Sequence, residues 1–288
     1  MDQLPLNFSQ TFLPDRRLLG QLLRFAASNG RGDKEAIGSE TGIPTGKSTG
    51  KVEPMIHYAR GMGLITAERE RGEWQLGATA LGAEVLREDA FFSEPLTLWL
   101  LHLLLCRRSG LEEPARGIAD PWFALFAEGR YSLGAEFTEA ALHRVLVQRH
   151  GEKGYLKGLS TLVPRMYLER ASFGGAGILT ETTAADGGAR LRCAAAPLDE
   201  TLFPAYALVL WLLWDGLFAA ERQLAFDELA RATRLLNLLG WGQEPAAQWL
   251  DWMATQGWLQ LDRHTGAALL MRLQETDAVI AALYSELV

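Results

Sequence analysis

The segment Gly42-Ile43-Pro44-Thr45-Gly46-Lys47-Ser48-Thr49 brings glycines, a lysine and hydroxyls together in a way that suits phosphate. A nucleotide-binding P-loop needs four residues between its first glycine and the Gly-Lys pair, with a buried strand in front. Here Thr41 occupies the required glycine position and the preceding GDKEAIGSET is polar and helical, so nucleoside-triphosphate chemistry is not expected. The same physics has a second use. A Gly/Ser/Thr turn running into a helix N-terminus presents backbone N–H groups and a partial positive charge to a phosphate, which can belong to DNA. Lys47, Ser48 and Thr49 are then expected on phosphates. Lys51, His57 and Tyr58, which share the outer face of the following helix with Pro54, are expected near base edges. Arg60 and Arg71 add positive charge, while Glu53, Glu68, Glu70 and Glu73 subtract from it.

No catalytic set emerges. The histidines His57, His102, His143, His150 and His264 form no HxxxH or HExxH pattern and no metal-ligand pairing. There is no GxSxG. Cys106 lies in an apolar stripe with no activating base in view, and His102 reads as a hydrogen-bonded core histidine. Neither a metal nor a cofactor is expected, and the chain is not expected to be an enzyme. Cys106 and Cys193 make no disulfide framework, so a reducing, cytoplasmic compartment is expected. The opening MDQLPLNFSQTF lacks the pattern of a signal peptide. The longest apolar run, Leu96 to Cys106, falls short of the roughly 20 residues that span a bilayer, so no membrane partner is expected.

The elements around the turn set its context. Leu18, Leu22, Phe25 and Ala26 recur on one helical face from Asp15 to Ser28, and Asn29-Gly30 ends that helix. Asp33 is an N-cap for a second helix ending at Gly42, and a third runs from Gly50 to Met62 with Val52, Ile56 and Ala59 inward. LITAERE and EWQLG flank Arg71-Gly72 as a hairpin, and residues 78–88 form a fourth helix. This order is that of a winged helix-turn-helix over residues 1–92. Residues 93–175 read as a helical middle segment, opening with an apolar helix capped by Ser93 and including YLKGLSTLVPRMYLERAS, interrupted at Pro164. Residues 176–194 read as a linker or an irregular hairpin. Residues 195–288 repeat the opening order loosely: helices in FPAYALVLWLLWDGLF, LAFDELARATRLL and EPAAQWLDWMATQG, a hairpin turning at His264-Thr265-Gly266, and a closing helix from Thr276 to Leu287. The fold class is therefore mainly α, with a winged helix-turn-helix at the start and a second winged-helix-like domain at the end.

Charge divides along the same lines. The 288 residues carry 28 basic and 35 acidic side chains, a net −7, which excludes a uniformly basic nucleic-acid coat. Residues 195–288 alone hold five basic and twelve acidic side chains, so the remaining chain is neutral. Within it, residues 142–170 hold six basic side chains against Glu152 and Glu169. Of these, Arg144, Arg149, Lys153, Lys157 and Arg165 are expected to give a salt-dependent contribution to duplex binding. Trp211, Trp214, Trp241, Trp249, Trp252 and Trp258 all fall in the acidic third, where they either build the core or anchor a protein partner.

NFSQTF near the start, the turn and helix ending in GMGLI, EWQLGATALG followed by PLTLWLLHLLL, and the later LAFDELA, GWLQLDRHTG and ALYSEL resemble an uncharacterised bacterial family. That family is encoded beside DNA phosphorothioation and other phage-defence gene clusters. Its opening carries a Gly-His after Phe-Ser, whereas here Ser9 runs straight into Gln10-Thr11. The resemblance implies a setting and no catalytic residue. Together the residues and the resemblance lead to the expectation of a non-enzymatic, DNA-binding accessory protein of a DNA-modification or anti-phage system. It would bind double-stranded DNA and hold a protein partner through its acidic C-terminal domain. The alternatives are a protein–protein scaffold without DNA contact and a winged-helix transcriptional regulator.

Overall fold

The computed structural model describes residues 3–184, 187–263 and 268–287, and the chain is mainly α. The first unit runs α1 (Arg16–Ala27), β1 (Arg31–Gly32), α2 (Lys34–Thr41), α3 (Val52–Gly61), β2 (Ile65–Glu70), β3 (Glu73–Ala78) and α4 (Ala80–Glu88). Its start signals are local. Asp15 accepts from Leu18 N–H, Asp33 from Glu35 and Ala36 N–H, and Thr79 from Gly82 N–H, each satisfying an otherwise free amide. Gly42 closes α2 in the left-handed region at φ 70°, where a side chain is disfavoured. The sheet order is β1-β3-β2, all antiparallel, with Ile65 opposite Ala78 and Glu70 opposite Glu73.

The middle is helical, as expected: α5 (Pro95–Cys106), α6 (Asp120–Phe126), α7 (Gly129–Ser132), α8 (Glu139–His150) and α9 (Leu156–Leu168). Every residue of α5 from Leu96 to Cys106 is buried, and it packs against α3, α6 and the later helix α10 (Phe203–Leu217). Two expectations are corrected here. Ser93 does not cap α5; instead the Asp89 carboxylate accepts from Ser93 N–H (2.8 Å), Ser93 Oγ (2.9 Å) and Glu94 N–H (3.0 Å). Pro164 does not interrupt α9, which continues through it to Leu168. A proline costs a helix one hydrogen bond and a clash, and burial of Leu159, Leu162, Val163 and Met166 on the same helix offsets that cost.

Residues 176–194 take the hairpin alternative, with β4 (Leu179–Thr183) antiparallel to β5 (Ala189–Cys193). The last unit continues from α10 with β6 (Gln223–Ala225), α11 (Phe226–Thr233), α12 (Leu235–Leu239), α13 (Gln243–Thr255), β7 (Leu259–Asp262), β8 (Leu269–Arg272) and α14 (Thr276–Ala281). Its sheet order, β6-β8-β7, repeats that of the first unit, and α13 packs on β7 as α3 packs on β2. The single amphipathic helix expected in LAFDELARATRLL is split by Arg234 at φ 62°, and the closing helix stops at Ala281, with Ser285–Leu287 as a 3₁₀ turn. The turn expected at His264-Thr265-Gly266 lies outside the described residues. Trp211, Trp214 and Trp249 are at most 1% exposed and pack with Trp241, Trp252 and half-buried Trp258 inside the C-terminal unit, so these tryptophans build a core. Among the described residues no helix is long and apolar enough to cross a membrane.

Candidate nucleic-acid interface

The turn before α3 is closed on itself. Thr49 N–H donates to Gly46 O (3.1 Å) and Lys51 N–H to Pro44 O (2.7 Å), so two of the amides expected to face a phosphate are used internally. Gly38 lets the turn sit this close to α2, since a Cβ there would lie 2.0 Å from Thr45 Cγ2. No side chain caps α3. Lys47, Ser48 and Thr49 are exposed, and Lys51 is half-buried with Nζ 5.8 Å from the centre of the Phe12 ring. Neither Lys47 nor Lys51 has an ion pair among the described residues. With Gln10, Lys34, Gly50 and Glu53, Lys47 edges a cleft of about 110 Å³. Lys34 was not foreseen; it enters only because α2 is laid across the turn.

The expected base-reading face of α3 is corrected. Tyr58 is fully buried, its hydroxyl donates to Phe12 O at 3.1 Å, and Pro54 is buried as well. The four-residue spacing put them opposite Val52 and Ile56, but Phe8 and Trp122 cover that side, their rings 4.9 and 5.9 Å from Tyr58. His57 is wedged between Phe8 and Trp74, and burial followed by the neighbouring Arg60 charge lowers its pKa. It is therefore a neutral, half-buried ring. The β2–β3 hairpin is electrostatically balanced. Arg31 pairs with Glu73 (2.9 Å), Arg69 with Glu53 (3.0 Å), and Arg71, at the tip with φ 52°, sits 3.8 Å from Glu70.

The basic segment divides in two. Arg144, Lys153 and Lys157 are exposed on α8, the connecting turn and α9, without ion pairs among the described residues, while exposed Arg165 pairs with Glu169 at 3.2 Å. Arg149, expected on DNA, belongs to a different set and is held in a part-buried ion-pair network. Its guanidinium donates to Asp120 (2.6 and 2.8 Å), Glu128 (2.6 Å) and the Ala115 carbonyl, and lies over Phe123. Burial pushes the Asp120 carboxyl up, but hydrogen bonds from Arg149, His150 and the Gly117 amide outweigh it and hold the group well below the usual carboxylate range. The Asp120 cluster is a buried strut that fixes α8 to α6. The two cationic areas stand on different neighbours: α8 and α9 pack on α6, whereas α2 and α3 pack on α1.

Cys106 does have a base beside it, contrary to expectation. His102 Nδ1 lies 3.5 Å from Cys106 Sγ and 2.8 Å from Tyr167 Oη. All three are buried; burial drops the His102 pKa to about 3 and pushes the Cys106 thiol well above its ordinary value. A neutral thiol sealed in the core has no nucleophilic role.

Arg17 and Arg24, on the solvent face of α1, and Phe91, 76% exposed after α4, escaped the sequence reading. Arg24 Cζ lies 5.7 Å from the centre of the Phe91 ring, a contact between residues far apart in the chain that no local spacing announces.

No family model matches the chain, and no curated protein matches it. Its fold is similar to two solved structures of SspB. One, with bound magnesium, is 18% identical with a TM-score of 0.71; the other is also 18% identical, at 0.69. Each match covers 98% of this chain and 87% of SspB. Among the described residues of the present chain, no group of three or more His, Cys, Asp or Glu side chains is placed to share a cation. The buried acidic site at Asp120 is already taken by arginines and His150, so the residues present do not fit a magnesium ion there.

Proposed function

We propose that this chain is a non-enzymatic, DNA-binding accessory protein of a phosphorothioation-linked or related anti-phage system. In this reading the first unit is a winged helix-turn-helix with α3 as its recognition helix. The observation that carries it is the turn leading into an uncapped α3, exposed at Gly46, Lys47, Ser48 and Thr49, with Lys47 and half-buried Lys51 without ion pairs among the described residues. The resemblance to the defence-linked family, together with a fold shared with SspB over 98% of the chain, supports the setting. Lys47, Ser48, Thr49 and Lys51 act on phosphates, and Arg144, Lys153 and Lys157 form a second cationic contact. Five such cations give a log–log salt slope of roughly −4 to −5 on duplex DNA. In fluorescence anisotropy with a labelled 30-base-pair duplex, Lys47→Glu with Lys51→Glu is expected to lower affinity more than about tenfold and flatten that slope by about 2. Equal binding by parent and double variant would sink the assignment of α3.

A second reading, a protein scaffold without DNA contact, is favoured by a specific contrast. The counterpart of α3 in the last unit, α13, exposes Gln243, Glu244, Gln248 and Asp251, and α11 beside it exposes Asp227 and Glu228. That face suits a cationic protein partner, and both readings assign it one. Absence of duplex binding at low salt, with a stable complex of co-expressed neighbours, selects the scaffold.

A further inference from the structure

The turn between α4 and α5 holds one phenylalanine inside and its neighbour outside. Phe92 is fully buried with φ 53°, a left-handed conformation that a bulky side chain adopts only at a cost. The turn is held from three directions. Phe92 N–H donates to Asp89 O (3.0 Å), Arg16 Nη1 donates to Phe92 O (3.0 Å), and the Asp89 carboxylate takes the Ser93 and Glu94 amides. The result is to project Phe91 into solvent, where its ring contributes nothing to the core.

The surroundings of that ring are cationic on the α1 side. Arg24 lies over it, and Arg17, seven residues earlier on the same helical face, is also exposed; neither has an ion pair among the described residues. Arg170 is exposed close by, since Arg16 Nη2 donates to its carbonyl at 2.7 Å. The acids on the α4 side are partly occupied, with Arg87 engaging both Glu84 and Glu88 at 2.6 Å, and Glu94 is half-buried. An exposed aromatic ring on a braced turn, with one guanidinium over it and further arginines on the adjoining surface, is the arrangement that stacks an unstacked base while its backbone is held electrostatically.

We propose that Phe91, with Arg24 beside it, is a stacking platform for an unpaired nucleobase, and that Arg17 and Arg24 take the adjoining phosphates. The proposal rests on the DNA-binding reading and adds a preference within it: duplex interrupted by a short single-stranded stretch over continuous duplex.

The test uses the full chain, a labelled 30-base-pair duplex, and the same duplex carrying a four-nucleotide gap. The parent is expected to bind the gapped form about tenfold tighter, the worth of roughly one stacked base. Phe91→Ala should abolish that preference and leave continuous-duplex affinity within about twofold, Phe91→Trp should keep it, and Arg17→Glu with Arg24→Glu should weaken the gapped form more than the continuous one. Unchanged melting temperatures of these surface variants establish that the fold is intact. A parent without gap preference, or a Phe91→Ala variant that keeps it, overturns the platform and leaves duplex binding standing. A parent that binds neither DNA overturns the broader reading as well.

Discussion

His102 shows how one residue in an apolar helix couples stability to pH. It is 1% exposed, ringed by Trp99, Phe126 and Tyr167, and burial lowers its pKa to about 3. In the unfolded chain the ring protonates below about pH 6.5. Between those values the unfolded state binds a proton that the folded state refuses, so stability falls as the solution is acidified. From pH 7 to pH 5 the loss from this group is about 2 kcal/mol. Urea unfolding at the two pH values should therefore show the parent losing about 2 kcal/mol more than His102→Phe, and parallel losses would place the ring in contact with water. That His102 lies in the core was legible from the apolar letters around it. That Tyr167 is its partner was not, because the bond crosses 65 positions of sequence. The same distinction explains Tyr58 and Arg149. Residue type gave them surface chemistry, and the neighbours that bury them, Phe8 and Trp122 for one, Asp120 and Glu128 for the other, come from elsewhere in the chain.

At the level of elements, what local chemistry controls was readable and what remote chemistry controls was not. The N-caps Asp15 and Asp33 sit within three residues of the amides they serve, and both helices start where these residues indicate. The short strands β1 and β6 were missed because two or three residues hold no periodicity; each exists only as the third member of a sheet. The start of α5 is the instructive failure. Ser93 has the right type and place for a cap, yet the acceptor is Asp89, 4% exposed and four residues back, and the Ser93 hydroxyl merely donates to it. Asp89→Ala should accordingly cost about 1–3 kcal/mol in urea unfolding, since it strips two amides of their acceptor beside a buried helix. Ser93→Ala should cost only a few tenths of that scale, because it removes a donor at an exposed position. A larger loss from Ser93 than from Asp89 would return the cap to the serine.

For the whole molecule, the division of charge was visible by counting, because net charge per segment needs no fold, and the repeated helix order was visible for the same reason. How the parts are joined was not visible. Buried and part-buried hydrogen bonds tie distant parts of the chain, among them Arg108 to the Ala232 carbonyl over 124 positions, Asn237 Nδ2 to the Ala127 carbonyl over 110, and Thr97 Oγ1 with Tyr284 Oη over 187. The buried apolar side chains of both units and the middle form one continuous cluster, and α5 lies inside it against α3 and α10. Units joined this way share their stability, so they should melt together. Arg108 tests this, because its side chain is 2% exposed and it also donates to the Gly110 and Glu112 carbonyls. Arg108→Ala removes a buried guanidinium and strips the part-buried Ala232, Gly110 and Glu112 carbonyls of their donor, a loss of about 3 kcal/mol. Calorimetry should then show one transition for the parent and one for the variant, lower by roughly 6–12 °C. Two transitions in the variant, with the lower one confined to the C-terminal unit, would mean that the acidic unit folds independently of the rest of the chain.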